Sequence, residues 1–168
     1  SYFLQHGEQP LTAIITGQRN PSAVYMGKRE HFHAVYMGYL DKSIAFKEML
    51  EQHNLAPTEV AYFFDDVLDA SVAKQCGLRV LIRRDANPVF QEFLRQHDYA
   101  DYVTGRRGDN FGIREACELL LALRGNQDEV FEGRINYNDT YCSYFRGRQE
   151  IDTLERMNPD RATRSTQL

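Results

Sequence analysis

The stretch that decides the fold is Val60-Ala-Tyr-Phe-Phe-Asp65-Asp66-Val-Leu-Asp69. An unbroken apolar and aromatic run leads directly into two adjacent carboxylates, and a third carboxylate follows three residues later. Such a run, bounded by polar segments, is typical of a buried strand in a parallel sheet. The acids then lie at the carboxyl end of the strand, where open α/β sheets bind their ligands. Two interpretations stay open: a Mg²⁺ site of oxygen ligands, or a turn in which an Asp caps the next helix.

The segments around this stretch alternate between strand and helix patterns. Strands are predicted at 11–16, 34–37, 60–64, 79–82 and 102–104, and helices at 2–6, 21–30, 43–53, 70–76, 88–97 and 112–124. A Gly-rich loop is predicted at 105–112. This alternation predicts βαβ units and therefore an α/β fold, with a mostly parallel sheet and helices on both faces.

The last part of the chain has a different composition. We predict an α/β domain at 1–127 and an irregular C-terminal extension at 128–168, because the extension shows no clear periodicity. Its aromatic residues are too numerous for a free tail, so we expect them to bury in a subunit interface. The residues in question are Tyr137, Tyr141, Tyr144 and Phe145.

The bulk composition excludes several classes of protein. A net charge of -4 over 168 residues argues against nucleic-acid binding driven by charge. No apolar run approaches the roughly 20 residues that span a bilayer, so no membrane partner is expected. The three cysteines are far apart and form no CxxC pattern. Such a set is typical of reduced thiols, so we expect a cytoplasmic protein.

Two further features fall at the ends of predicted strands or the starts of predicted helices: Thr16-Gly17 and Lys42. Each has an ordinary interpretation, since Thr-Gly often ends a strand and a Lys at a helix start is usually solvated. Together with the acids they contain the parts of a phosphate site. A hydroxyl and turn amides bind phosphate oxygens, a Lys adds a positive charge, and carboxylates hold the Mg²⁺ of a phosphoryl-transfer centre. Arg83 and Arg84 are interpreted as solvated loop charges.

The order and spacing of these motifs resemble those of the haloacid-dehalogenase (HAD) superfamily of phosphatases. Within it, the chain looks most like the small enzymes without a large cap domain, the 3-deoxy-D-manno-octulosonate 8-phosphate phosphatase subfamily. Ala13-Ile-Ile-Thr16-Gly17 resembles the second superfamily motif, Lys42 the third, and the stretch from Val60 to Asp69 the fourth. The similarity runs from about residue 3 to residue 125.

The resemblance implies a Rossmann-like, HAD-like fold and an enzyme with a defined chemistry. That enzyme is a Mg²⁺-dependent phosphatase, a hydrolase of a small phosphorylated sugar or sugar acid that works through an aspartyl-phosphate. Thr16 and Lys42 are then the catalytic residues, and with Gly17 they bind the substrate phosphate. Asp65 ligates Mg²⁺ directly, and Asp66 and Asp69 support it directly or through water. The resemblance also implies a homo-oligomer, with a tetramer favoured.

The chain departs from the family pattern in ways that favour a second hypothesis. No apolar strand ending in Asp-x-Asp, the first motif with the nucleophile, occurs in the 168 residues. Phe64 stands where the family usually has Gly, which would crowd the site. The alternative is therefore a catalytically impaired HAD-like module that serves oligomerisation or ligand binding. A receiver-like regulator fits less well, because its acid pair precedes its Lys by a long stretch, whereas Lys42 precedes Asp65 here.

Overall fold

The computed structural model describes residues 1–159, and strands alternate with helices along most of that length. The helices are α1 Tyr2–His6, α2 Pro21–Arg29, α3 Lys42–His53, α4 Ala70–Ala73, α5 Pro88–Gln96, α6 Gly112–Leu123, α7 Gln127–Ile135 and α8 Asp139–Gln149. The strands are β1 Ala13–Thr16, β2 Ala34–Met37, β3 Ala61–Phe64, β4 Leu78–Arg83, β5 Tyr102–Arg107 and β6 Leu154–Met157. The chain divides into two compact units, residues 41–120 and the segments before and after them.

The first unit contains residues 1–40 and, within the described part of the chain, residues from 121 to 159, and it is built on the parallel sheet β1-β2-β6. All four residues of the central strand β2 are buried. Helix α2 packs closely on this strand, because a β-carbon added at Gly27 would lie 2.6 Å from a methyl group of Val35. The register aligns Thr16 with Met37, so both strands end at the same edge of the sheet.

The second unit, residues 41–120, is built on the parallel sheet β3-β4-β5. Its central strand β4 carries Leu81, which packs with Phe64, Ala73 and Leu94 in a fully apolar cluster. Phe64 is the last residue of β3 and is 3% exposed. Burial of this side chain fixes the end of β3 and therefore the point at which Asp65 leaves the sheet.

The sequence predicted five of the six described strands, β1 to β5, and their parallel arrangement, but not β6. Strands β1 to β5 lie where the apolar runs placed them, and helices flank the sheets. In the described residues the strands form two three-stranded sheets rather than one. No strand of the sheet β1-β2-β6 pairs with a strand of the sheet β3-β4-β5. Strand β5 also extends beyond Thr104 into the predicted Gly-rich loop, since Arg107 continues the ladder with Arg83.

The expectation of an irregular C-terminal extension is wrong for residues 128–157. They form most of α7, all of α8 and the strand β6, which pairs in parallel with β2. Polar and aromatic residues mix around both helices, so no apolar stripe marks them in the sequence. The domain boundary at 127 and burial of the extension against another subunit stay predictions, and residues 160–168 lie outside the described part of the chain.

Within residues 1–159, no helix is long and apolar enough to cross a membrane.

Candidate active site

The Thr16-Gly17 turn ends β1 in the first unit. The Thr16 hydroxyl lies 3.4 Å from both the backbone nitrogen and the backbone oxygen of Gln18. The Thr16 carbonyl accepts a hydrogen bond of 3.3 Å from the Tyr39 amide. A β-carbon at Gly17 would be in ordinary contact with the Tyr39 carbonyl oxygen at 3.6 Å. Backbone hydrogen bonds from the segment after β2 therefore hold the turn, with the Thr16 hydroxyl at the carboxyl end of β1.

Lys42 and Asp69 meet in the second unit as a buried ion pair. Lys42 is the first residue of α3, directly after the N-cap Asp41, whose side chain accepts a hydrogen bond from the Ser43 amide. The Lys42 Nζ lies 2.5 Å from Asp69 Oδ1, and the two side chains are only 15% and 4% exposed. Two opposite charges this close, and this little exposed to water, attract one another far more strongly than a surface pair does.

Tyr62 completes this cluster from β3. Its hydroxyl donates to the same Asp69 Oδ1, at 2.6 Å. Burial raises the pKa of Tyr62 far above its ordinary value, and the negative charge of Asp69 raises it further. The phenol therefore stays protonated and acts as a hydrogen-bond donor. Tyr62 lies within the stretch that resembles the fourth motif, but it was assigned no role from the sequence, because an aromatic residue in a buried strand is normally part of the core.

Asp65 has a different partner. Its Oδ2 lies 2.9 Å from the Nε of Arg84, in a pair whose side chains are 40% and 53% exposed respectively. The Asn87 side-chain amide donates to the Asp65 backbone oxygen at 3.5 Å. Arg84, expected to be a solvated loop charge, is therefore a direct neighbour of the acid at the end of β3.

Asp66 performs the capping role that was one of the two interpretations of the acid pair. Its backbone is extended, and its Oδ1 accepts a hydrogen bond of 3.0 Å from the Leu68 amide, which caps a short 3₁₀ turn at 67–69. Such a cap uses one carboxylate oxygen and leaves lone pairs for another ligand. Capping therefore does not exclude a metal role for this residue.

The donors at the end of β3 suit a magnesium ion. Among residues 1–159, no three His, Cys, Asp or Glu side chains are grouped closely enough to enclose a metal. Mg²⁺ does not need such a cage, since it is usually held by one or two carboxylates, substrate phosphate and water. Asp65 and Asp66 provide carboxylate oxygens at consecutive positions after β3, and hard oxygen donors are the ligand type that this ion takes. The Asp69 Oδ1 is already shared by Lys42 and Tyr62.

Glu115 anchors the segment that follows Thr104. One of its oxygens accepts from the Tyr102 hydroxyl at 2.6 Å and from the Gly105 amide at 2.7 Å, and the other from the Arg106 amide at 2.9 Å. These bonds hold the pKa of Glu115 below its ordinary value, the Tyr102 bond most of all. Nothing in the sequence alone indicated that the Glu115 side chain would accept hydrogen bonds from two backbone amides.

No protein-family model matches the chain. It is 39% identical over 118 residues to the 3-deoxy-D-manno-octulosonate 8-phosphate phosphatase KdsC of Salmonella typhi, an alignment that covers 70% of this chain and 59% of the relative. The chain is a partial KdsC-like protein, and the relatives of that name are phosphatases of the HAD superfamily. The chain spans about 59% of the length of this relative and of its Salmonella typhimurium counterpart.

Solved structures agree on the HAD-like fold. The 3-deoxy-D-manno-octulosonate 8-phosphate phosphatase of Yersinia pestis is 34% identical with a TM-score of 0.57, over 66% of this chain and 56% of that one. The Moraxella catarrhalis enzyme, solved with magnesium, phosphate and a KDO molecule, is 23% identical with a TM-score of 0.61, over 73% and 66%. The expected Rossmann-like, HAD-like α/β fold is therefore confirmed.

Proposed function

We propose that this KdsC-like chain belongs to a Mg²⁺-dependent phosphomonoester hydrolase that acts on a small phosphorylated sugar or sugar acid. The observation that carries the proposal is the buried Lys42–Asp69 pair in the unit whose strand β3 ends in Asp65 and Asp66. Phosphoryl transfer needs a cation that stabilises charge on the phosphoryl group and carboxylates that hold the metal ion. Lys42 provides the first, and Asp65 and Asp66 provide the second. The name of the Salmonella typhi relative and the contents of the Moraxella catarrhalis structure support the same reaction and metal.

Each candidate residue receives a role in this proposal. Thr16 and the Gly17 amide bind phosphate oxygens, and Lys42 provides a fixed positive charge for the phosphate and the nucleophile. Asp65 and Asp66 hold Mg²⁺, and Asp69 supports the centre indirectly, through its bond to Lys42. When bound, Mg²⁺ neutralises charge on the transferred phosphoryl group.

The reaction has two balanced steps. A nucleophilic Asp carboxylate attacks phosphorus, the ester P–O bond breaks, and the leaving alkoxide takes a proton from an acid. Water then attacks the aspartyl-phosphate and gives its proton to a base, which releases inorganic phosphate and restores the carboxylate. The 168 residues contain no apolar strand ending in Asp-x-Asp to provide this nucleophile. In the proposal it therefore comes from outside these residues.

The lack of an Asp-x-Asp strand in the 168 residues favours the second candidate, a catalytically impaired module that binds a ligand or drives oligomerisation. Several large apolar side chains of α7 and α8 are exposed in the single chain, as an oligomer interface requires. They are Phe131 at 48%, Ile135 at 71% and Phe145 at 45%. We propose a homo-oligomer, favouring a tetramer, for either candidate, and retain the cytoplasmic location because Cys76, Cys117 and Cys142 are free thiols.

A substrate panel separates the two candidates. The purified full-length gene product is incubated with sugar phosphates, including 3-deoxy-D-manno-octulosonate 8-phosphate, in Mg²⁺ or in EDTA, and inorganic phosphate is measured. The hydrolase predicts phosphate release that is selective among the esters and stops in EDTA. A protein that releases no phosphate from any ester yet runs as a stable oligomer in light scattering would contradict it and support the module.

A further inference from the structure

Three elements of the second unit converge on one carboxylate oxygen. Lys42 begins α3, Tyr62 lies in β3, and Asp69 ends the 3₁₀ turn that precedes α4. The Lys42 Nζ at 2.5 Å and the Tyr62 hydroxyl at 2.6 Å both bind Asp69 Oδ1. Asp69 is 3% exposed, so little water competes for this oxygen.

The ring of Tyr62 cannot easily move away from this position. It packs against the buried cluster that contains Phe64 and Leu81. It also stacks on the Phe64 ring, with centroids 5.9 Å apart and an angle of 15° between the planes. A ring fixed by core packing gives its hydroxyl a fixed direction, whereas an Asp side chain held only by a flexible Lys could change rotamer.

We propose that Tyr62 is a positioning residue that, through Asp69, holds the Lys42 ammonium in place. The kinetic consequences of this inference rest on the proposed function. The contacts of Tyr62 and Lys42 with Asp69 do not depend on that function. Asp69 carries the charge that attracts Lys42, and Tyr62 restricts that charge to one place. A charged group that stabilises a transition state must be held to within a fraction of an ångström.

The test uses Tyr62→Phe, which removes one oxygen and keeps the ring. The matched control is Tyr102→Phe, since the Tyr102 hydroxyl also donates at 2.6 Å to a carboxylate, that of Glu115 in the same unit. We expect Tyr62→Phe to lower kcat about 10-fold with little change in KM, because misplacing a group in the transition state costs up to roughly 100-fold. Tyr102→Phe should change kcat less than about two-fold on the same reasoning.

A second readout does not need turnover. Each protein is treated briefly with an amine-reactive reagent, and labelling of Lys42 is measured by mass spectrometry relative to the exposed Lys28 and Lys47. Lys42 is 15% exposed and paired, so it should react slowly in the wild type. Release of Asp69 in Tyr62→Phe should increase Lys42 labelling several-fold, and Tyr102→Phe should not.

The two readouts separate the positioning role from the proposed function. Unchanged Lys42 labelling in Tyr62→Phe, or an equal change in Tyr102→Phe, overturns the positioning role whatever the activity. Increased labelling in a protein that hydrolyses no phosphomonoester supports the positioning role and contradicts only the hydrolase. A protein with turnover in which Tyr62→Phe changes neither kcat nor KM also overturns the proposal, because the position of Lys42 then does not depend on the hydroxyl.

Discussion

Removal of Lys42 should destabilise the protein far more than removal of a surface lysine. Lys42→Met leaves Asp69 as a buried carboxylate, 4% exposed at its side chain, with Tyr62 as its remaining partner. Breaking a buried pair by removing one partner costs about 3–5 kcal/mol. Because the Tyr62 hydrogen bond remains, we expect the lower end, about 3 kcal/mol in the free energy of unfolding. For a chain of this length the melting temperature should fall by about 6–12 °C.

The assay is urea unfolding followed by far-ultraviolet circular dichroism, since the chain contains no tryptophan to report by fluorescence. The control is Lys47→Met. The Lys47 Nζ lies 3.8 Å from a Glu51 oxygen, and the side chains are 78% and 68% exposed. A surface pair of this kind is worth at most about 0.5 kcal/mol.

A double variant tests the cause of the loss. Lys42→Met combined with Asp69→Asn removes the charge that Lys42 compensated, and the amide oxygen can still accept from Tyr62. We expect the double variant to lie within about 1.5 kcal/mol of the wild type, because a neutral buried group needs no counter-ion. A loss below about 1 kcal/mol in Lys42→Met, or a double variant less stable than the single one, would refute the reasoning.

Three further predictions concern the second unit. Arg84→Gln should tighten Mg²⁺ binding about two- to five-fold in isothermal titration calorimetry, because it removes an exposed cation paired with Asp65; an unchanged Kd would count against a metal at that carboxylate. Hydrogen bonding by Arg79 holds the pKa of Asp101 below its ordinary 3.8, so the stabilisation is present above that pH and is lost as pH falls through the folded value. Asp101→Asn should therefore destabilise the protein to urea by a larger amount at pH 7 than at pH 3, and an equal effect at both would contradict the ion pair. Gly77→Ala places a β-carbon 1.9 Å from a backbone carbonyl oxygen and should cost about 1–3 kcal/mol in the same assay, whereas a neutral result would mean that this loop yields freely.

Strands β1 to β5 could be predicted because a short apolar run bounded by polar segments is typical of a buried strand. The run before Asp65 is an example: Phe64 is buried and β3 ends there, so the acids emerge where the sequence placed them. The separation into two sheets and the position of β6 depend on which strands pair, and pairing is not encoded in any single segment. Residues 128–149 gave no helical signal because their helices lack an apolar stripe.

The candidate site was predictable as a set of residue types and not as a set of contacts. Lys42 and Asp69 were both identified, yet their bond to one another was not, because they are 27 positions apart and were assigned to different partners. Arg84 and Tyr62 were missed for a related reason. A loop arginine and a core tyrosine are common, and only folding brings them to Asp65 and Asp69.

The central claim is that the acids at the end of β3 serve metal-dependent phosphate hydrolysis. Its most direct test compares Asp65→Asn with Asp152→Asn, which makes the same change at an exposed position in the other unit. With the best ester of the panel and saturating Mg²⁺, Asp152→Asn should match the wild type. Asp65→Asn should lose at least about 100-fold in kcat/KM, since it removes a charged oxygen ligand. Wild-type kcat/KM in Asp65→Asn would contradict the account.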